Sequence, residues 1–263
     1  LATGAAPVVP RVEGVDLRGV FTVRLPDGAR EVKEGLSAAE TVAIVGGGYI
    51  GLEMAEAARS LGKRVILFEA LDHVLPSSID RDVAEVVEEE LRANGVELHL
   101  QEPLARLEGR GSVERVVTEK GSYRADAVVL AVGVRPDSAL AESMGLKFGE
   151  TGAVYVNEYM ETSEPDVYAA GDLVETTHLV TGKRTWLPLA PPANKMGQVA
   201  GANSVSPRSL KFPGVVGTAI TKVFNYYVGR TGLSDEQARR EGFDVESKLV
   251  KTRSAAEYYA KYE

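Results

Sequence analysis

Short apolar runs alternate with amphipathic segments through the first half of the chain. The β-branched run Thr41–Val45 is followed by a glycine-rich turn and then by good helix formers over Ile50–Leu61. Apolar residues recur at helical spacing in Ile79–Ala93, between the apolar runs Val65–Phe68 and Val96–Leu100. This alternation of strands and helices is typical of a parallel sheet that is covered on both faces.

The segments around this region have a weaker pattern. Ser112–Glu119 and Gly121–Ala125 predict an antiparallel pair, and Ala127–Val132 predicts one more buried strand. Residues 7–33 contain prolines, glycines and charges without sustained periodicity. They are therefore typical of a linker, with one short strand at Val20–Val23.

A second unit begins near Gly152, after a predicted α/β domain that covers residues 41–149. Its predicted elements are strands at 153–157 and 166–173, a helix at Asn194–Asn203, strands at 215–224 and 243–252, and a helix at Ser234–Glu241. Ser234 or Asp235 is the expected N-cap of the last helix, because its side-chain oxygen can accept a hydrogen bond from a free backbone N–H.

Composition and charge narrow the function classes. Of the 263 residues 44% are hydrophobic, and no apolar run approaches the roughly 18 residues that span a bilayer. The net charge is −8 with Lys and Arg spread along the chain, which disfavours a nucleic-acid partner. The sequence has no cysteine, so it contains no disulfide, thiolate metal site or cysteine nucleophile. We expect no membrane association and a cytoplasmic location.

Three glycines form the strongest local motif. Gly46, Gly48 and Gly51 give G-x-G-x-x-G between a predicted strand and a predicted helix. In dinucleotide-binding folds these glycines allow a tight turn, close approach of the backbone to a pyrophosphate, and close packing of helix on strand. Glu69 follows about 20 residues later, at the end of the next strand. The motif predicts a dinucleotide site, and the alternative is a turn that only needs glycines.

The carboxylate of Glu69 also bears on which dinucleotide binds. It is placed to accept a hydrogen bond from a ribose 2′-hydroxyl and would repel a 2′-phosphate. The residues from Ala70 to His73 supply no arginine for such a phosphate, although Arg64 or Arg81 could fold back. We therefore expect NADH, with NADPH less favoured.

The three histidines are His73, His99 and His178, and they lack the spacing of metal ligands. We interpret them as surface or packing residues and expect no metal site. Their predicted positions on helix or loop surfaces also disfavour an ordinary NAD dehydrogenase for hydroxy acids, which needs an acid–base group beside the nicotinamide.

A family resemblance rests on five motifs in order along the chain. They are LATGAAPVVP at 1–10, AVGVRPDS at 131–138, TSEPDVYAAGDLVE at 162–175, LPLAPPANKMGQVAGAN at 187–203 and VGTAITKVFNYYVGRTGL at 216–233. Together they resemble the FAD-dependent pyridine nucleotide-disulfide oxidoreductase family. The last two motifs resemble its branch of CoA-disulfide reductases, NADH oxidases and NADH peroxidases.

The resemblance implies an α/β fold in which a Rossmann-like NAD-binding domain is inserted into a second, incomplete FAD-binding domain of the same type. Part of an α+β dimerisation domain would follow, so a homodimer is expected. The implied bounds are 1–36 for the end of the FAD-binding domain and a linker, 37–150 for the NAD(H)-binding domain, 151–206 for the second part of the FAD-binding domain, and 207–263 for the start of the dimerisation domain. We expect both ends to be cut from a longer protein whose upstream part holds the first FAD loop and a redox cysteine.

The resemblance also implies site residues. Thr3 and Gly4 would line the FAD, Gly171 and Asp172 would lie against its ribityl–pyrophosphate portion, and Leu189 and Ala190 would lie near the isoalloxazine ring. The implied nicotinamide-nucleotide residues are Gly46, Gly48, Tyr49, Ile50, Gly51, Glu53, Glu69 and Gly133. Among these, Tyr49 resembles the aromatic residue that covers the flavin until NADH displaces it, and Glu53 would face the nicotinamide carboxamide.

The implied chemistry is hydride transfer from NADH through FAD to a small-molecule disulfide, as in CoA-disulfide reductases. Tyr258 and Tyr259 resemble a tyrosine pair of those enzymes that could donate a proton to a leaving thiolate, and Asn194 is a weaker candidate for the substrate side. The alternative for the tyrosines is packing of an interface. For the chain, the alternatives are an oxidase or peroxidase with an oxygen species as acceptor, and a nucleotide-binding fragment without turnover.

Overall fold

The computed structural model describes residues 1–252 of the chain. Its strands are β1 (Ala5–Pro7), β2 (Val20–Phe21), β3 (Thr41–Val45), β4 (Arg64–Phe68), β5 (Val96–His99), β6 (Leu104–Glu108), β7 (Arg115–Thr118), β8 (Ser122–Arg124), β9 (Ala127–Leu130), β10 (Val134–Pro136), β11 (Thr176–Thr177), β12 (Arg184–Thr185), β13 (Ala219–Val223) and β14 (Tyr226–Arg230). Its helices are α1 (Pro26–Ala38), α2 (Tyr49–Ser60), α3 (Arg81–Ala93), α4 (Ala139–Ser143), α5 (Ala190–Val205) and α6 (Asp235–Arg240), with a 3₁₀ turn at Gly171–Leu173.

A five-stranded parallel sheet in the order β2-β9-β3-β4-β5 forms the centre of the first domain. Successive side chains of a strand point to opposite faces, and every residue of β3 is buried. Val42 and Ile44 pack with α1, α2 and α3, whereas Ala43 and Val45 pack with the antiparallel sheet β6-β7-β8. The predicted cover on both faces is confirmed, with helices on one face and a second sheet on the other.

The parallel register brings two loops of the chain together at one edge of this sheet. Val45, the last residue of β3, pairs with Phe68, the last residue of β4. The residues that follow are Gly46, which opens the glycine loop, and Glu69. The edge formed by the carboxyl ends of the strands is where open α/β sheets bind ligands.

A second core lies around α5 and the 3₁₀ turn. It contains Leu173, Met196 and Val199, together with Ala141 and Leu146 from the segment that leaves the first domain. Beside it, Glu175 is almost fully buried and accepts a hydrogen bond from the Arg184 Nε at 2.8 Å. A buried carboxylate needs such a partner, so this ion pair fixes β11 against β12.

The antiparallel hairpin β13–β14 packs on the first domain. Val223 and Val228 belong to the same core as α2 and α3, so the hairpin closes that core from outside the helices. The helix α6 follows it, and Ser234 is its N-cap in a capping box with Gln237, which confirms one of the two predicted caps. Of the helices in residues 1–252, none is both long and apolar enough to cross a membrane.

The stretch predicted to be a linker contains most of α1, which the sequence pattern did not show. Gly28 and Gly35 weaken its helical pattern, although Pro26 suits the first turn of a helix. Tertiary packing decides the outcome, because Val32 and Leu36 are buried one turn apart. A Cβ on Gly35 would lie 2.2 Å from a ring atom of Phe21, so this glycine admits the aromatic ring.

The predicted strands outside the first domain are partly wrong. Residues 153–157 and 166–173 form only isolated bridges, such as Val154 with Val174, because their backbone pairs with loops instead of a continuous strand. Residues 243–252 are not a strand in the described part of the chain. The strand β6 was not predicted, since its sequence LARLE alternates poorly.

Candidate dinucleotide and flavin site

The glycine loop connects β3 to α2. Of the three glycines of the G-x-G-x-x-G motif, two are required because a Cβ there would clash with a backbone carbonyl group. A Cβ on Gly46, whose φ is +108°, would lie 2.3 Å from the carbonyl oxygen of Ala131. A Cβ on Gly51 would lie 1.9 Å from the carbonyl oxygen of Gly46. A Cβ on Gly48 meets nothing within 4 Å. The first and third glycines therefore serve the fold, and Gly48 borders open space.

That open space lies at the N-terminus of α2. Gly48 is the N-cap, and within residues 1–252 no side chain accepts a hydrogen bond from the first-turn N–H groups. The first turn, which includes Tyr49 and Ile50, carries no acidic residue. Free N–H groups and the positive end of the helix dipole hold an anion such as a pyrophosphate, so the residues present fit a dinucleotide.

Glu69 joins the glycine loop to the end of β4. Its side chain is 7% exposed, and Oε2 accepts a hydrogen bond from the Gly47 N–H at 2.6 Å. Oε1 accepts a second from the Leu71 N–H at 2.8 Å. A carboxylate has about four acceptor sites, so two remain for hydroxyl groups. This arrangement suits a ribose, whose hydroxyls can donate to the two remaining sites.

The two arginines that could have reached a 2′-phosphate contact other groups. Arg64, at the start of β4, pairs with Glu97 at 2.7 Å, and this carboxylate raises the pKa of the guanidinium. Arg81 pairs with Glu85 at 3.4 Å and with Asp72 at 3.6 Å. In this arrangement neither arginine offsets the negative charge of Glu69.

A buried polar network around Glu102 is linked to the backbone of Glu69. The sequence did not predict this network. Glu102 is 3% exposed and accepts hydrogen bonds from the Tyr123 and Thr118 hydroxyls, each at 2.6 Å. The His99 Nδ1 lies 3.0 Å from the same carboxylate. The backbone completes the link, because the Glu69 N–H donates to the His99 carbonyl at 2.8 Å and the Glu102 N–H donates to the Glu69 carbonyl at 2.9 Å.

The ionisation of this network follows from its contacts. Burial opposes the charge on Glu102, but the hydrogen bonds from Thr118, Tyr123 and His99 outweigh it, so the pKa of Glu102 lies below its usual value. The hydrogen bond to the Glu102 carboxylate raises the pKa of Tyr123 to about 12. The Glu102 carboxyl is therefore ionised at neutral pH, while the Tyr123 hydroxyl keeps its proton and donates a hydrogen bond to this carboxylate.

Tyr49 and Glu53 lie one turn apart on α2. The Tyr49 ring is half-buried and packs against the first core. Glu53 is exposed, and its Oε1 accepts a hydrogen bond from the Thr221 hydroxyl at 3.1 Å. The two expected nicotinamide residues therefore share a helix with the glycine loop, at its N-terminal end.

The antiparallel pairing of β1 with β10 places Thr3 and Gly4 beside Asp137 at one end of the ladder, and Gly133 beside Val8 at the other end. The Thr3 hydroxyl donates to the Asp137 carbonyl at 2.6 Å, and the Asp137 N–H donates to the Gly4 carbonyl at 2.9 Å. Gly4 and Gly133 have φ values of +73° and +107°, and a Cβ on either meets nothing within 4 Å. Both glycines leave room for a ligand against bare backbone.

Asp172 carries an unpartnered polar atom. Its Oδ1 is buried and has no hydrogen-bond partner among the described residues, while its carbonyl accepts from the Trp186 Nε1 at 2.8 Å. Burial raises the pKa of the Asp172 carboxyl. Gly171 precedes it with a φ of +80°. A buried acceptor without a donor fits a bound group that supplies one, such as a hydroxyl of a flavin side chain.

The remaining expected residues lie near α5 or beyond the described chain. Leu189 is the N-cap of α5 and Ala190 is its first residue, so both lie on the helix that packs against the Gly171–Leu173 turn. Asn194 is exposed, and its Oδ1 accepts from the Gln198 Nε2 at 3.0 Å. Tyr258 and Tyr259 lie outside the described residues.

Contrary to the sequence prediction, the histidines do not lie on helix or loop surfaces. His73 and His178 are buried at 7% exposure, and His99 belongs to β5. His73 is placed by contacts of its two ring nitrogens with Asp72 and with the Ile79 carbonyl. Within residues 1–252, no group of three or more His, Cys, Asp or Glu side chains could hold a metal ion.

Comparison with known proteins gives one family and several relatives. The profile of the family described as pyridine nucleotide-disulphide oxidoreductase matches residues 1–197. The NAD(P)H sulfur oxidoreductase (CoA-dependent) of Pyrococcus abyssi is 49% identical over 260 residues, which are 98% of this chain and 58% of that protein. The chain thus spans less than two thirds of this relative.

Two solved structures are similar to the chain. The NAD-dependent persulfide reductase from A. fulgidus is 42% identical with a TM-score of 0.89, covering 92% of this chain and 45% of that one. The water-forming NADH oxidase from Lactobacillus brevis, bound to NADH, is 29% identical with a TM-score of 0.92, covering 99% of this chain and 57% of that one.

Alanine at two of the loop glycines should separate binding from folding. Gly51→Ala forces a Cβ against the Gly46 carbonyl, and we expect it to lower the free energy of unfolding by about 3 kcal/mol. Gly48→Ala should change that free energy by about 1 kcal/mol or less while weakening NADH binding at least about tenfold. Thermal unfolding and NADH fluorescence measure the two effects.

Gly28→Ala is the control for that pair, because a Cβ there meets nothing within 4 Å and the residue lies on α1. It should leave NADH binding unchanged. Equal NADH affinity in the Gly48→Ala variant and the parent chain would contradict the assignment of the open space to a pyrophosphate.

Asp172→Asn should change how stability depends on pH in protein stripped of flavin. The folded-state pKa of Asp172 is raised, so ionisation destabilises the fold as pH rises through it, and the penalty disappears below the unfolded value of about 3.9. The variant should therefore gain stability relative to the parent as the pH rises from about 3 to about 7. Urea unfolding across this range measures the difference, and a constant difference would contradict the buried charge.

Proposed function

The chain belongs to the pyridine nucleotide-disulphide oxidoreductase family, and on this basis we propose that it binds NADH and FAD and takes part in the reduction of a sulfur acceptor. The observation that carries the proposal is the unpartnered Asp172 Oδ1 in a chain that also has a complete dinucleotide loop. A nucleotide-binding module without turnover needs the loop but has no use for a second buried acceptor.

The nicotinamide nucleotide is held by groups of the first domain. The N–H groups at the start of α2 bind the pyrophosphate, and Gly48 lets it approach the backbone. The two free acceptor sites of Glu69 take the hydroxyls of the adenosine ribose, which makes NADH the preferred form over NADPH. Tyr49 covers the flavin-facing side of the site, and Glu53 accepts from the carboxamide N–H₂ group.

The flavin would be held by residues of the second unit of the chain. Asp172 would accept a hydrogen bond from a ribityl hydroxyl, and Thr3, Gly4 and Gly171 would let the backbone approach the group closely. Leu189 and Ala190 exclude water beside the ring. When bound, the flavin supplies two-electron chemistry between the nicotinamide and the acceptor, and the protein supplies position and electrostatics.

A sulfur acceptor is favoured by the relatives, and the resemblance to CoA-disulfide reductases makes a CoA disulfide the specific candidate. A protein 49% identical is named as a CoA-dependent sulfur oxidoreductase, and a structure 42% identical is named as a persulfide reductase. The chain has no cysteine, so the thiol that sulfur exchange needs is supplied by something other than these 263 residues. An oxygen species is the second candidate, favoured by the NADH oxidase that is 29% identical.

Further parts of the proposal come from the resemblance and from the composition. We keep the domain bounds 1–36, 37–150, 151–206 and 207–263, and the separate cores around α2 and around α5 support the division between the second and third of these. Homodimer formation through residues 207–263, proton donation by Tyr258 and Tyr259, a substrate role for Asn194 and a cytoplasmic location stay predictions.

The visible absorption spectrum of the purified protein, before and after NADH is added without oxygen, tests the proposal. Flavin bands that bleach with NADH are expected, since both sites then operate in one molecule. Asp172→Ala should lower the amount of flavin that the protein holds and leave its affinity for NADH unchanged. A parent protein that binds NADH but holds no flavin, even when FAD is supplied, would favour the nucleotide-binding module.

Replacing the ribose-binding carboxylate should change the cofactor preference. Glu69→Ala with Ala70→Arg removes the negative charge and adds a guanidinium for a 2′-phosphate, so the ratio of NADPH to NADH affinity should rise at least about tenfold. Ala70→Arg alone is the matched control and should raise it less. An unchanged ratio in the double variant would show that Glu69 does not face the ribose.

A further inference from the structure

The hairpin β13–β14 is fastened to the dinucleotide domain through carboxylates on α2 and α3. The Phe224 N–H donates to the Glu56 Oε2 at 2.8 Å, and the Lys222 ammonium pairs with the same carboxylate. The Asn225 N–H and Nδ2 donate to the Glu90 Oε1 at 3.1 and 2.8 Å. These hydrogen bonds, together with the buried Val223, fix the hairpin relative to the helix that begins at the glycine loop.

Thr221 makes one more contact, and it reaches an expected cofactor residue. Its side chain is 6% exposed, and its hydroxyl donates to the Glu53 Oε1 at 3.1 Å. Its other neighbour, the Lys222 carbonyl, is at 3.5 Å. A buried hydroxyl is costly unless it is hydrogen-bonded, so the pairing with Glu53 is the contact that satisfies it.

This contact restricts a side chain that is otherwise free to move. Glu53 lies on the exposed face of α2, where a glutamate samples several rotamers. With Oε1 held by Thr221, the other oxygen keeps its acceptor sites for a ligand N–H. Thr221 itself is held in a strand, opposite Val228, by the docking contacts of the hairpin.

We propose that Thr221 is a positioning residue for the nicotinamide: its hydroxyl holds Glu53 in the orientation that accepts from the carboxamide. The inference rests on the proposed function through the role of Glu53. It makes the fit of the nicotinamide end depend on the docked hairpin, whereas the adenosine end depends on Glu69 and the glycine loop.

The test compares NADH with ADP-ribose, which has the adenosine and pyrophosphate but no nicotinamide. Thr221→Val keeps the shape and removes the hydroxyl, so it should weaken NADH about three- to tenfold and leave ADP-ribose unchanged. Thr221→Ser keeps the hydroxyl and should bind NADH as the parent does. Dissociation constants from fluorescence titration of the full chain give both values.

Two further variants make the result specific. Glu53→Ala should weaken NADH at least as much as Thr221→Val, and the double variant should be no weaker than Glu53→Ala, because Thr221 acts through Glu53. Thr231→Val is the matched control. Its hydroxyl lies 2.8 Å from that of Thr218 and is exposed, so its loss should change neither affinity.

Three outcomes would overturn the inference. If Thr221→Val keeps the NADH affinity of the parent while Glu53→Ala loses affinity, Thr221 has no positioning role. The proposed function would still stand in that case. Equal weakening of NADH and ADP-ribose in Thr221→Val would show a general structural role. Absence of NADH binding by the parent chain would overturn the proposed function and this inference together.

Discussion

The hydrogen bonds of the Glu69 carboxylate are the interaction on which the edge of the sheet at the glycine loop depends. The carboxylate is buried where two parallel strands end, and it accepts the Gly47 and Leu71 N–H groups at 2.6 and 2.8 Å. A charge in such a place needs several hydrogen bonds to be tolerated. The two backbone donors meet part of that need, and they also fix the spacing between the glycine loop and the β4 end. The remaining acceptor sites define what a ligand must offer there.

Three other parts of the fold support this edge or add a polar group: the network around Glu102, the second unit with Asp172, and the hairpin. The network around Glu102 holds the backbone of Glu69, and the small antiparallel sheet behind it supplies Tyr123 and Thr118. The second unit contributes Asp172. Its Oδ1 is buried and accepts no hydrogen bond from the described residues. The hairpin then binds α2 through Glu53 and Glu56, so the helix that begins at the glycine loop is held from its outer side. The two regions therefore differ in the polar groups that they present, which are the Glu69 carboxylate at the sheet edge and the Asp172 carboxyl in the second unit.

The sequence was most informative where structure is local. The run Thr41–Val45, the three glycines and Glu69 are close in sequence, and strand, turn and helix chemistry alone indicates their arrangement. The helix α1 escaped because its burial against Phe21 is tertiary, and Gly28 and Gly35 hide its period.

The candidate site was likewise predictable only in part. Glu69 was predicted from its spacing to the glycine loop, whereas the other expected cofactor residues outside the loop came from the resemblance, since a lone Gly171-Asp172 pair is no more than a turn. The supporting groups could not be found in this way. Glu102, Thr118 and Tyr123 come from separate segments, and Thr221 meets Glu53 across 168 residues of chain. Such contacts depend on topology, which periodicity does not encode.

The crystal structure of the protein in complex with NADH would test the central claim most directly. We predict that the pyrophosphate lies against the N–H groups at the start of α2 beside Gly48. The adenosine ribose hydroxyls should lie within hydrogen-bond distance of Glu69, and the carboxamide should lie beside Glu53. NADH bound at another surface, or bound at the loop with its ribose away from Glu69, would contradict this account.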